Sequence, residues 1–414
     1  MLWFTNIPLP EAAAACGREI LGSGHWMTTL ARLLSRDADI QLCVATAYPG
    51  IASYSGNIAG TEYRVVGQPR RRSPLQAHPD DLSACRNIVL DFMPDVVHVH
   101  GSERFFGLLR ARRMIHTPTL LSIQGILTGF IPHMPGVMGP LRALQVGMGS
   151  DLILRRSWLE QQMRYAAASN REIEMIRGVD AVMGRTEWDH AQVLAMDRNI
   201  RYFHGDEAIR DEFWKAAWSV ERCDRYTIVF TNGGEPRRGL EVLLRAASIL
   251  RDRYPQLQVI LAGANIFAGA YGRLLRKLIR ELNLMGCVEA AGFLKADAMA
   301  ELLQRAHAFV MPSQIENSPN SLCEAMLVGV PCVTAYSGGI PSLISHYESG
   351  LMYPPREHTM LAKQVADIFS SDELAVRLSE QARQTARVRH NPKTIVDQVI
   401  GTYQALTNGT FSTS

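Results

Sequence analysis

The chain has 414 residues, 47% of them apolar and 20% charged, with a formal net charge of +3. That length predicts two or three domains, each large enough for its own core. The composition excludes a disordered, collagen-like or coiled-coil chain, and so even a charge balance gives no basis for a nucleic-acid-binding face.

The N-terminus, Met1-Leu2-Trp3-Phe4-Thr5, has no basic residue ahead of its apolar run, so a strand is expected rather than a signal peptide. Further strands are expected in IQLCVA near Ile40, TEYRVV near Thr61, DVVHVH at Asp95–His100, TLLSI at Thr119–Ile123 and VDAVMGR near Val179. Helical patterns alternate with them, including GHWMTTLARLLS, RFFGLLRARR and a long amphipathic region over 151–178. After a linker at 205–225, a second series begins with YTIVFTN at Tyr226 and continues through LQVILAG, CVEAAGF, AFVMPS and PCVTAY. From about residue 358 the pattern is helical to the end. Strands alternating with helices predict an α/β fold of two doubly wound parallel-sheet (Rossmann-like) domains facing a central cleft, with ligands at the carboxyl ends of the strands. The expected division is 1–205 and 206–390, with a last helix in 391–414 a candidate to cross back to the first domain.

The seven cysteines, Cys16, Cys43, Cys85, Cys223, Cys287, Cys323 and Cys332, are scattered and form no CxxC. They predict a reducing compartment, with neither a disulfide framework nor structural zinc. Residues 114–141 lack Asp, Glu, Lys and Arg, a length that would suit a membrane-spanning helix. Pro118, Pro132, Pro135 and Pro140 instead predict a strand followed by a buried or interfacial loop.

The sharpest constellation is Glu316-Asn317-Ser318-Pro319-Asn320-Ser321-Leu322-Cys323-Glu324, directly after AFVMPS. Ser318 is the expected N-cap, Pro319 the first helical residue and Gly329 the stop. The N–H groups of Asn320, Ser321 and Leu322 would then form an anion site at a helix start. Carboxylates beside an anion site suit sugar or ribose hydroxyls rather than the anion; a solvated Glu316 and a merely structural Glu324 are the competing reading. Asn232-Gly233-Gly234-Glu235-Pro236-Arg237-Arg238-Gly239 also follows a strand and opens a helix. Its glycines permit close backbone approach and an arginine there can clamp a diphosphate.

With these motifs the chain resembles the family 4 retaining glycosyltransferases of GT-B fold. Glu316 and Glu324 match that family's E-x7-E motif, and GVPCVTAYSGGIPSLISHYESGLMYPP from Gly329, PDVVHVHG from Pro94 and the opening LWFTNIPLPE are similar to family segments. The resemblance implies sugar transfer from a nucleotide-diphosphate donor such as a UDP- or GDP-sugar to a glycan, lipid-linked or small-molecule acceptor, in surface polysaccharide or glycoconjugate synthesis, with no other cofactor. It assigns Glu316 to donor-sugar hydroxyls, Glu324 to the ribose and Arg238, in place of the usual lysine, to the diphosphate. A second cation usual in the preceding glycine turn is missing, which shifts weight to backbone N–H groups and Arg237. Phe293 and Leu294 fall where relatives touch the base, and Gly22-Ser23-Gly24 resembles the glycine loop near phosphates and acceptor.

His98 and His100 share one face of their strand. His100 is the candidate catalytic histidine, with a structural histidine the competing reading, because Gln124 stands where many relatives carry His. No metal site is expected; Asp37-Ala38-Asp39 reads as a surface turn. The loop Ile126–Pro140, with Phe130, Ile131, Met134, Val137 and Met138, is expected to line the acceptor entrance or to touch the inner face of a membrane, or else to pack on its own domain. The implied location is cytoplasmic, and no nucleic-acid partner is expected. The alternatives are a nucleotide-sugar epimerase of the same fold and a catalytically silent glycan- or partner-binding relative.

Overall fold

The computed structural model describes residues 1–18, 25–73, 76–138, 158–232 and 234–408. The chain forms two compact units. The first comprises Met1–Gly129, Arg164–Ala208 and His390–Ser414, and the second Phe130–Met163 and Ile209–Arg389.

The first unit holds β1 (Leu2–Thr5), β2 (Cys43–Pro49), β3 (Tyr54–Ile58), β4 (Thr61–Gln68), β5 (Val97–His100), β6 (Thr119–Ser122), β7 (Ala181–Gly184) and β8 (Arg201–His204). Their order is β3-β4-β2-β1-β5-β6-β7-β8, parallel except for the β3–β4 hairpin. The second unit holds β9 (Thr227–Thr231), β10 (Gln258–Ala262), β11 (Val288–Gly292), β12 (Ala308–Met311), β13 (Cys332–Ala335) and β14 (Leu351–Tyr353), all parallel, in the order β11-β10-β9-β12-β13-β14.

The central strands β1, β5, β6 and β7 of the first sheet are buried on both faces, which is why they read as apolar runs. Leu2, Phe4, Val97, Val99, Leu121 and Val182 enter one core, while Trp3, Val44, Leu120 and Ala181 enter another. The second core is completed by Val399, Tyr403 and Leu406, spaced along one face of the last helix, Pro392–Thr407. Asn391 caps that helix, accepting from Lys393 N at 3.0 Å and Thr394 N at 3.2 Å, with Pro392 in the first turn.

His98 lies on the face covered by this helix. Its Nδ1 is 2.7 Å from Tyr403 Oη and its Nε2 2.6 Å from Ser122 Oγ. Trp3 Nε1 donates to the same Tyr403 oxygen at 2.9 Å. Tyr403 thus accepts from Trp3 while also hydrogen-bonding His98, so one hydroxyl serves two buried ring nitrogens. Burial pushes the His98 imidazole down to about 3, in keeping with a neutral ring.

Several local expectations differ from the structure. RFFGLLRARR yields only the short helix Leu108–Ala111. The long helical region expected over 151–178 is a helix over its described part, Trp158–Gly178; residues 151–157 lie outside the described residues. The 205–225 segment is packed rather than a loose linker: it holds the helix Asp211–Lys215 and buries Phe213 and Trp218 in the second unit's core. Residues 130–138, assigned by sequence to the first domain, belong to the second unit. Among the described residues no helix is long and apolar enough to cross a membrane.

Replacing Tyr403 with Phe strands two buried groups, Trp3 Nε1–H and His98 Nδ1. Each unsatisfied group costs about 1–3 kcal/mol. The expected result is a lower urea midpoint for the first unit's unfolding, followed by the fluorescence of the buried Trp3.

Candidate active site

The strand order of the second sheet reverses between β9 and β12, the position at the carboxyl ends of the strands where open α/β sheets place a ligand crevice. The β9 exit carries the short turn Pro236–Arg238 and then Gly239, which caps the helix Leu240–Arg253. The β12 exit carries Pro312 to Glu316. Gly239 has φ +72, and a Cβ on it would come within 2.2 Å of the Pro312 carbonyl oxygen. Glycine is therefore required for the two exits to touch. Gln314 N donates to Arg237 O at 2.7 Å and ties them further.

On this frame Arg238 forms an ion pair with Glu316. The two side chains are 20% and 6% exposed, so the pair is largely removed from water. Gly338, at φ +51, lies against the Glu316 backbone; a Cβ there would stand 2.0 Å from Glu316 O. Gly339 N donates to that same oxygen at 2.9 Å. Arg238 Nε is buried without a hydrogen-bond partner and is left to meet an acceptor.

Glu324 is carried on the helix Asn320–Val328 and is 8% exposed. Arg210 pairs with its Oε1 at 2.6 Å and stacks over the buried Phe213 ring at 4.9 Å. Both E-x7-E carboxylates are thus paired with arginines rather than solvated. The helix start differs from the sequence expectation. Pro319, not Ser318, is the N-cap, and no side chain caps the helix. Leu322 N already donates to Pro319 O at 3.0 Å and its side chain is buried, so Leu322 leaves the candidate anion site. Asn320 and Ser321, both half-buried, remain. Gly329 ends the helix in the left-handed conformation, as expected.

Phe293 and Leu294 follow β11 at the sheet's edge, with Phe293 39% exposed. A Cβ on Gly234 would meet only ordinary contacts, so packing does not demand glycine there. Gly22, Gly24 and Gly233 lie outside the described residues. Arg237 pairs with Glu235 at 2.8 Å and stacks over Phe130 at 5.2 Å. That stack belongs to a packed segment: Met134 is buried, Gly136 lies against Pro236, and Arg356 reaches Gly136 O at 3.4 Å and Gln314 Oε1 at 2.9 Å. Within the second unit Phe130–Val137 therefore pack beside the β9 exit, with Phe130, Ile131 and Val137 half-buried; the side chain of Met138 lies outside the described residues.

In the first unit His100 is 6% exposed, its ring 3.9 Å from that of His98 and 4.3 Å from that of Trp3. Burial, His98 and Arg185 hold its imidazole well below the usual range, so it is neutral. Its Nε2 is buried without a partner. Asp37 and Asp39 form an exposed turn, Asp39 N donating to Asp37 Oδ1 at 3.0 Å. Among the described residues no cluster of three His, Cys, Asp or Glu is placed to hold a metal ion. Arg210, Gly338, Gln314 and Arg356 were missed by sequence reasoning; of these only Gly338, inside a family-like segment, carried any signal.

Comparison with known proteins agrees with this architecture. Residues 214–385 match the family described as glycosyl transferases group 1, and residues 22–204 match the glycosyl transferase 4-like domain. The chain belongs to the GT-B glycosyltransferases, with family 4-like domains. An Escherichia coli (strain K12) protein provisionally named a colanic acid biosynthesis glycosyltransferase is 30% identical over 178 residues, covering 41% of this chain and 43% of that protein. A GDP-mannose-dependent phosphatidylinositol monomannoside mannosyltransferase of Mycobacterium tuberculosis is 26% identical, covering 44% and 47%. The chain thus spans under half the length of these curated relatives. The fold is similar to that of sucrose-phosphate synthase from Thermosynechococcus elongatus, with a TM-score of 0.75 and 16% identity over 99% of each chain. It is also similar to Anabaena HepE in complex with UDP, with a TM-score of 0.67 and 16% identity over 98% of this chain and 99% of that one.

Arg238→Ala leaves the Glu316 carboxylate buried and unpaired. Breaking a buried pair costs about 3–5 kcal/mol. The expected outcome is a clear drop in the second unit's denaturation midpoint, largely restored in Arg238→Lys.

Proposed function

We propose that the chain is a retaining glycosyltransferase that moves a sugar from a nucleoside-diphosphate sugar, a UDP- or GDP-sugar, to a glycan or lipid-linked acceptor. The observation that carries this reading is the Arg238–Glu316 pair at the β9/β12 crevice. A diphosphate leaving group gains negative charge as the glycosidic bond breaks, and a fixed cation lowers the barrier by meeting that charge. Arg238 Nε is buried and without a hydrogen-bond partner, which leaves a donor available for such an oxygen. Because Glu316 already holds the guanidinium, the cation needs no reorganisation at the moment of transfer.

Glu316 accepts from Arg238 through Oε1, which leaves Oε2 for a donor-sugar hydroxyl. Glu324, held by Arg210, takes the ribose, and the N–H groups of Asn320 and Ser321 favour the phosphates at the helix start. Phe293 and Leu294 contribute to the base subsite. The reading needs no resident cofactor. The HepE structure was determined with UDP, and the mycobacterial relative is named for GDP-mannose, which supports both nucleotides as candidates. Relatives named for colanic acid and phosphatidylinositol mannoside support a place in polysaccharide or glycoconjugate assembly.

Calorimetry with UDP, GDP, uridine and guanosine tests the donor site. Arg238→Ala is expected to weaken the preferred diphosphate far more than its nucleoside; equal losses would remove Arg238 from the phosphate site. In Glu316→Gln, losing a hydrogen bond to a charged group is expected to lower turnover about 10- to 150-fold with the fold intact. Unchanged transfer by the folded variant would refute the role of Glu316.

A further inference from the structure

The first sheet has its own reversal of strand order, between β1 and β5, with the chain leaving β1 at Asn6 and the chain leaving β5 at Gly101 at its carboxyl edge. Asn6 Nδ2 donates to Glu103 Oε2 at 2.5 Å. An ionised carboxylate only accepts, so the amide turns its NH2 to Glu103 and its oxygen away. That oxygen, Asn6 Oδ1, is buried without a partner, as is Nε2 of His100, the residue preceding Gly101. Gly101 has φ +96, and a Cβ there would lie 2.1 Å from Asn6 Nδ2 and 2.3 Å from Glu103 Oε2. Glycine at this position is what allows the amide and the carboxylate to meet.

The backbone around Glu103 is held firmly. Ser102 Oγ lies 3.1 Å from Gly125 O and 2.5 Å from Glu172 Oε1. The buried Arg104 donates to Asn6 O at 3.0 Å and Gln68 Oε1 at 3.1 Å. Glu172, fully buried, also accepts from Leu127 N at 3.0 Å and Thr128 N at 2.9 Å, which fixes the chain beyond β6. Glu103 itself is half-buried. A rigid edge that holds a buried amide oxygen without a donor, beside a carboxylate, is complementary to a ligand with adjacent O–H donors; an anion would be repelled by Glu103.

We propose that Asn6 and Glu103 form a sugar subsite in the first unit, in which neighbouring hydroxyls donate to Asn6 Oδ1 and to the Glu103 carboxylate, with His100 Nε2 completing the set. It rests on the glycosyl-transfer reading and names the ligand class of this edge: the acceptor sugar. Burial pushes the Glu103 carboxyl up to about 7; Glu172 adds to the rise, while the backbone, Asn6 and Arg185 oppose it. The facing titratable groups are Glu172 from the helix Trp158–Gly178 and Arg185 after β7, with the neutral His100 adjacent. The acceptor carboxylate therefore forms as pH rises through about 7.

The full chain is titrated with methyl α-D-glucopyranoside, methyl α-D-galactopyranoside and methyl α-D-mannopyranoside, read by saturation-transfer NMR at about pH 6 and about pH 8. UDP and GDP binding is measured in parallel by calorimetry. Wild type is expected to bind at least one glycoside, more tightly at the higher pH. Glu103→Gln, which keeps a partner for Asn6, and Asn6→Ala are each expected to weaken it about tenfold or more, with nucleotide affinity unchanged. The Glu103→Gln variant should also lose the pH dependence. Absence of binding to wild type by all three glycosides overturns the subsite, as does wild-type affinity in both variants. Failure of UDP and GDP to bind wild type counts against the donor reading instead, and the subsite is still decided by the glycoside signals.

Discussion

A buried ion pair, Arg238 with Glu316, is the contact around which the second unit is arranged. Burying two charges is costly, and mutual attraction offsets that cost only when geometry is fixed. The fold supplies the fixing. Two parallel strands whose order reverses bring their exits side by side, Gly239 permits them to touch, and Gly338 and Gly339 hold the Glu316 backbone from a third segment. A charge pair kept for stability alone could be replaced by apolar packing. One held at a strand-order reversal, with an unpartnered Nε–H, is better explained as a poised site.

The first unit uses the same architecture differently. Its strand-order reversal carries neutral histidines and a carboxylate with an unpartnered amide oxygen, Arg104 being engaged by Asn6 O and Gln68, and the last helix covers part of one sheet face through Tyr403. That helix is remote in sequence yet satisfies Trp3 and His98, so the extreme ends of the chain depend on one hydroxyl.

Much of this was legible because burial on both faces writes strands as apolar runs. β1, β5, β6, β7 and β9 to β13 lie in the segments read as strands, and β2 and β4 overlap theirs and run on to Pro49 and Gln68. The strands not read are those where that pressure fails. β3 carries Gly56 within an antiparallel hairpin at the edge, β8 is the opposite edge strand with only partly buried residues, and β14 spans only three residues. The E-x7-E pair and the arginine turn were legible through their position after strands. Arg210 was not, because its partnership with Glu324 spans 114 positions and no local pattern records it. Asn6 and Glu103 were missed for the same reason: their contact joins two strands 97 positions apart. The N-cap shifted by one residue, a scale at which helix ends are poorly specified by sequence.

The central claim is transfer with retention from a nucleoside-diphosphate sugar at the Arg238–Glu316 crevice. Its most direct measurement needs no knowledge of the acceptor. The preferred α-linked UDP- or GDP-sugar is incubated with the full chain in deuterated buffer, and the first free sugar released by slow hydrolysis is followed by proton NMR before it mutarotates. The account predicts that the α anomer appears first and that its rate falls in Glu316→Gln. First appearance of the β anomer, or a rate unchanged by that substitution, would contradict it.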